Sequence, residues 1–181
     1  MKIPAVLLLL LATAMPAAAQ DAAAAQAANN FYTVLRAQGG SDGIPGPSLR
    51  AALLPLMSDR LGKLLLAAND AQTRFRMQNR FAPPLAEGDL FSSLLEGPTG
   101  FKVGACTGTP AAQRCRIQFH RAKPVTVRGQ AQPMDWNDDL LLVQEQGGWR
   151  VDDVDYRGGF PYGNAGLLSQ TLGMITRAAG R

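Results

Sequence analysis

The sequence predicts an α+β fold in which N-terminal helices pack on an antiparallel sheet that a short C-terminal helix follows. Three observations predict it. Apolar residues recur at helical spacing through the first part of the chain, side chains alternate apolar and polar from Phe101 onward, and Gly147-Gly148 separates two alternating runs as a tight hairpin turn does.

Each element has its own signature. Ala24, Ala27, Phe31, Val34 and Leu35 share one helical face, and Gly39-Gly40 ends the helix. A Gly- and Pro-rich loop runs to Pro47, after which Ser48 is expected to cap a short helical run that Pro55 interrupts. Ser58 is the expected N-cap of a longer helix whose stripe is Leu61, Leu64, Leu65, Ala68, Ala71 and Phe75, ending near Arg80. Residues Ala82 to Gly100 read as a packed connector, with an apolar cluster at Leu90, Phe91, Leu94 and Leu95. Strands are expected at Phe101 and Val103, at Cys115, Ile117 and Phe119, at Val125 and Val127, and as a hairpin from Leu140 to Gln146 and Trp149 to Tyr156. A last helix is expected from about Asn164, with Leu168, Leu172 and Ile175 on one face.

The first 19 residues read as a secretory leader. Lys2 supplies a positive start, Val6 to Leu11 an unbroken apolar run, and Pro16-Ala17-Ala18-Ala19 a helix break with a small-residue cleavage site. Cleavage after Ala19 leaves one domain, 20–181, in the periplasm or secreted. The apolar run is too short to cross a bilayer, so no membrane span is expected. No lipid anchor is expected either, because lipidation at the cleavage point needs a cysteine there and the chain has only Cys106 and Cys115. The chain has 18 Lys and Arg, one of them Lys2 in the leader, against 14 Asp and Glu, so the remainder carries +3. The basic residues are interspersed with acids, which argues against a nucleic-acid partner. Arg74, Arg76 and Arg80 form the nearest thing to a cluster, on the exposed side of a helix.

In an oxidising compartment two cysteines point to one disulfide. The spacing of Cys106 and Cys115 suits a structural staple over a turn-rich loop and not a redox-active C-x-x-C. Strict alternation puts the two on opposite faces, and Gly104 is the residue expected to host the bulge or early strand end that brings them together.

Catalytic signatures are missing: there is no nucleophile elbow, no phosphate loop with its lysine, and no dinucleotide fingerprint. With His120 as the single histidine, no metal site and no cofactor are expected. His120 alternates with Ile117 and Phe119 and is expected at the surface. Asp152, Asp153 and Asp155 are the densest acidic set on a strand. Pairing Gln146 with Trp149 puts Val154 and Tyr156 out of phase, and a bulge at Asp152-Asp153 repairs this. Leu140, Leu142, Trp149, Val151, Val154 and Tyr156 then share one apolar face. The three aspartates fall on the other, expected to be solvated and to carry a Glu145–Arg150 ion pair, so that Asp153→Ala costs about 1 kcal/mol or less.

The N-terminal helical stretch, the segment Gly88-Asp89-Leu90-Phe91-Ser92-Ser93 before Glu96-Gly97-Pro98, and the closing hairpin Leu140 to Tyr156 resemble a family of uncharacterised exported bacterial proteins. That family belongs with the nuclear transport factor 2-like, cystatin-related α+β cone folds. The resemblance, from about Phe31 to Leu172, implies a curved antiparallel sheet wrapped around helices, with Leu140, Leu142, Trp149, Val151, Val154 and Tyr156 lining the cone. Some relatives use such a cone for ligands and a few for catalysis, through a His or Asp dyad or a Tyr and Asp pair. No matching motif occurs here, so no catalytic residue is carried over. Three functions follow as expectations. The first is an exported, non-catalytic module that binds a protein or a small apolar ligand. The second is a cone-fold small-molecule binder or enzyme using Tyr156, Asp153 or His120, and the third an inhibitor or immunity protein against a cell-wall hydrolase.

Overall fold

The computed structural model describes residues 17–127 and 130–178. Most of the expected leader, 1–16, lies outside the described residues. The first helix, α1, spans Ala17–Ala37, and Ala24, Ala28, Phe31, Tyr32 and Leu35 form its buried face. It ends where the chain needs positive φ, at Gly39 and Gly40, whose amides return to Arg36 O and Leu35 O. Helix α2, Pro47–Leu53, begins one residue before the expected cap: Gly46 occupies the N-cap and Pro47 the first turn, where a missing N–H costs nothing. A 3-10 turn at Leu54–Leu56 leads to α3, Asp59–Gln78. Ser58 caps α3 by accepting the Leu61 amide at 3.0 Å.

The sheet is a five-stranded antiparallel meander in chain order: β1 Gly100–Gly108, β2 Ala112–Val127, β3 Gln130–Glu145, β4 Gly148–Tyr156 and β5 Gly166–Leu167. Helix α4, Leu168–Ala178, follows and buries Leu168, Leu172 and Ile175. It starts later than expected because Gly166 and Leu167 pair with β4 first. Two strands are longer than their apolar runs. β2 continues through the expected break to Val127, with its register shifting between Arg121 and Val125, and β3 begins ten residues before Leu140.

The inner face of the sheet carries Phe101, Val103, Cys115, Ile117, Phe119, Trp136, Leu140 and Leu142 against α1, with Phe31 and Tyr32 at the centre. The register between β1 and β2 shifts between Val103 and Cys106, so Gly104 and Ala105 face the single residue Arg116. The shift puts Cys106 opposite Cys115 on the inner face, where they form a disulfide.

The β3–β4 hairpin corrects the expected register. Its turn residues are Gln146 and Gly147, both with positive φ, so Glu145 faces Gly148 and Gln144 faces Trp149. Asp152 alone is the bulged residue: Val151 faces Leu142 and Asp153 faces Leu141. Leu140, Leu142, Trp149, Val151, Val154 and Tyr156 are all buried. The expected Glu145–Arg150 ion pair does not form. Glu145 accepts the Asp59 amide at 2.9 Å, and Arg150 lies opposite Val143.

Candidate functional site

The loop between α3 and β1 is the segment that the resemblance singled out, and most of its polar groups are satisfied inside the protein. Asn164 Nδ2 donates to Asp89 O and Ser92 O, each at 2.7 Å. Tyr156 donates its hydroxyl to Leu90 O at 2.6 Å and Tyr32 donates to Phe91 O at 3.0 Å. Burial raises both phenols well above the usual tyrosine range, and the nearby Asp138 and Asp89 carboxylates add to it, so both remain neutral donors.

Asp138 anchors the loop from the inner face of β3. Alternation with Trp136 and Leu140 directs its side chain inward, where it is fully buried. It accepts from Ser93 N at 2.7 Å, Arg157 N at 2.8 Å, Trp136 Nε1 at 3.3 Å and the Ser93 hydroxyl. Four donors occupy its lone pairs, and Ser93 Oγ itself accepts from Gly158 N.

On its other side the same loop meets the end of α1 around a cleft of about 350 Å³. Tyr32, Arg36, Asp89, Glu96, Thr99 and Arg121 line it. Arg36 Nη1 donates to Pro98 O at 2.7 Å, and Arg121 Nη1 donates to both Glu96 O and Gly97 O at 2.7 Å, so two guanidinium groups brace the wall. Asp89 is 4% exposed. Its Oδ1 accepts from Phe91 N at 2.6 Å and Ser41 Oγ at 3.2 Å. Desolvation raises its pKa to about 6, against the lowering effect of those hydrogen bonds and of Arg36. Gly97 is required here: its φ is +66°, and a Cβ would come within 2.6 Å of Asp89 Oδ2.

With this geometry in view, one curated protein is informative. The chain is 31% identical over 122 residues to a protein of Escherichia coli (strain K12) named uncharacterized lipoprotein YbjP. The match covers 67% of this chain and 63% of that protein, so the chain spans less than two thirds of its relative's length. No family model matches the chain, and no solved structure matches it.

The structure distributes the sequence-predicted candidates instead of assembling them. Tyr156 is committed to Leu90 O inside. His120 is exposed and pairs with Asp135 at 2.7 Å on the outer face of β2 and β3. Asp153 is not solvated: it is 2% exposed, and the start of α4 donates Ser169 N to its Oδ1 at 2.9 Å while Arg60 Nη2 reaches its Oδ2 at 3.2 Å. Asp152 is half-buried. Desolvation opposes its ionisation, but hydrogen bonds from Arg60 and Ser58 outweigh that and hold its carboxyl below the ordinary range. Asp155 meets Arg114 and Arg157 at 2.8 and 2.7 Å.

Asp89 and Asp138 were absent from the sequence-based candidates. Asp138 was readable from the alternation Trp136, Asp138, Leu140, Leu142 once β3 is extended backward. Asp89 was readable only as part of the glycine-flanked segment. Among the described residues no group of three or more His, Cys, Asp or Glu is placed to hold a metal ion, and no helix is long and apolar enough to cross a membrane.

Proposed function

We propose that this chain is an exported, envelope-associated binding or interaction module without catalysis, made of a leader at 1–19 and one domain at 20–181 of the nuclear transport factor 2-like cone type. The observation that carries the reading is the commitment of the interior polar groups to the loop. Tyr32 and Tyr156 donate to main-chain oxygens of 90–91, and Asp138 accepts from Ser93 N and Oγ, Arg157 N and Trp136 Nε1, so none is free for a reacting group. The lipoprotein name of the relative supports envelope association. Both cysteines of this chain lie in one disulfide, which supports export to an oxidising compartment without an acylated cysteine. The domain limit is supported by Asp21, which accepts from Gln113 Nε2 at 3.1 Å just after the proposed cleavage point. Intact mass of the chain recovered from the periplasmic fraction tests this reading. It should start at or within a few residues of Gln20, and full-length material in that fraction overturns it.

A specific observation favours a second reading, a cone-fold small-molecule binder or enzyme: Asp89 borders a cleft with a pKa near 6, suited to proton exchange at neutral pH. A thermal-shift screen of small amines and carboxylates discriminates the two. Hits lost in both Asp89→Asn and Arg36→Gln assign the cleft to a small ligand; uniformly flat melting curves reject that assignment.

A further inference from the structure

The end of α3 carries a surface that neither the fold nor the cleft uses. Met77 is 76% exposed, and Phe81, four residues on, is fully exposed. Phe81 is not on a frayed end: Asn79 closes α3 by donating its amide and its Nδ2 to Phe75 O, and Ala82 N returns to Asn79 O at 3.1 Å, so a turn presents the ring. Helical spacing puts Met77 at the centre of the outward face, opposite Ala68, Ala71 and Phe75, with Arg74 on one flank and Arg76 on the other. Arg80 lies in the turn just beyond the helix, next to Phe81 in the chain, and is exposed. None of the ion pairs among the described residues involves Arg74, Arg76 or Arg80. The acid nearest in sequence is Asp70, one turn before Arg74.

Two large apolar side chains bracketed by three unpaired guanidinium groups match the chemistry of an anionic bilayer surface. Phosphates take the bidentate arginines, and the apolar tips enter the region beneath the headgroups. We propose that the α3 tip, Arg74, Arg76, Met77, Arg80 and Phe81, docks this protein on anionic phospholipid without spanning the membrane. The proposal does not depend on the function assigned above, since it needs only a lipid surface and this helix end.

The test is co-sedimentation of the full chain with vesicles of phosphatidylcholine alone, and of phosphatidylcholine with phosphatidylglycerol as about a third of the lipid. Whatever the N-terminal segment contributes is common to wild type and variants. Binding should be stronger on the anionic vesicles and weaken with added salt. Arg74→Gln, Arg76→Gln and Arg80→Gln together should lower anionic-vesicle affinity on the order of 100-fold. Met77→Ser with Phe81→Ser should lower it by about tenfold or more. Unchanged melting temperatures would show that both variants remain folded, as expected for exposed positions. Equal affinity for both vesicle types, no sedimentation with either, or a triple variant that binds as wild type does would overturn the proposal. Loss of a protein partner by the triple variant, with vesicles ignored, would overturn it in favour of protein docking.

Discussion

Asp138 and Asp139 are neighbours in the chain and lie on opposite faces of β3. Asp138 points inward and is satisfied by two main-chain amides, an indole N–H and a hydroxyl. Asp139 points outward, directly opposite Asp155, and the repulsion between them is relieved by Arg114 and Arg157 at 2.9 and 3.5 Å. Both acids are buried, at 0% and 7% exposure, so burial alone does not separate them. The partners do. Inside, neutral donors hold a loop in place and have no other acceptor if the acid is removed; outside, half-exposed arginines can turn back to water.

The first way to break this comparison is Asp138→Ala. Stranding the Ser93 and Arg157 amides and the Trp136 indole inside should cost about 3 kcal/mol or more in denaturant unfolding. A loss under about 1 kcal/mol would mean that water replaces the carboxylate and that the loop does not depend on it.

Asp89→Asn sharpens the comparison through pH. A carboxyl raised from 3.8 to about 6 contributes its full stability when protonated, below about pH 4, and loses it as pH rises through about 6. Between pH 4 and 7.5 the wild type should therefore lose roughly 2–3 kcal/mol that the asparagine variant keeps. Parallel stability-versus-pH curves for the two proteins would contradict a buried, raised Asp89.

Asp153 lies between the two cases, since its partners are an amide at the start of α4 and an arginine. Asp153→Ala should cost about 1–3 kcal/mol and selectively increase hydrogen exchange in the first turn of α4. Protection of α4 equal to wild type would show that the helix start does not rely on Asp153. The smallest effect is expected from Asp139→Ala, about 1 kcal/mol or less, because its arginines regain solvent and Asp155 still holds both. A loss as large as that of Asp138→Ala would erase the distinction between the faces.

What the sequence by itself determined is the element order and the apolar faces. Helical spacing located α1 and α3, Ser58 marked its own cap, and alternation with a bulge collected Leu140, Leu142, Trp149, Val151, Val154 and Tyr156 on one face. These are local properties, set by neighbours within a few residues along the chain. Only the tertiary structure decided the rest. The turn moved to Gln146-Gly147 because the cross-strand register, with Asp152 as its bulge, is a pairing of two strands and not a property of either. Asp153 became buried because α4 and Arg60, distant in sequence, close over it. The early part of β3 precedes the apolar run at Leu140 and contains Asn137-Asp138-Asp139, and the donors that let Asp138 point inward come from a loop some 45 residues away. A carboxylate looks alike in sequence wherever it sits. Its role depends on whether amides, arginines or water satisfy its oxygens, and the folded chain brings those partners from elsewhere.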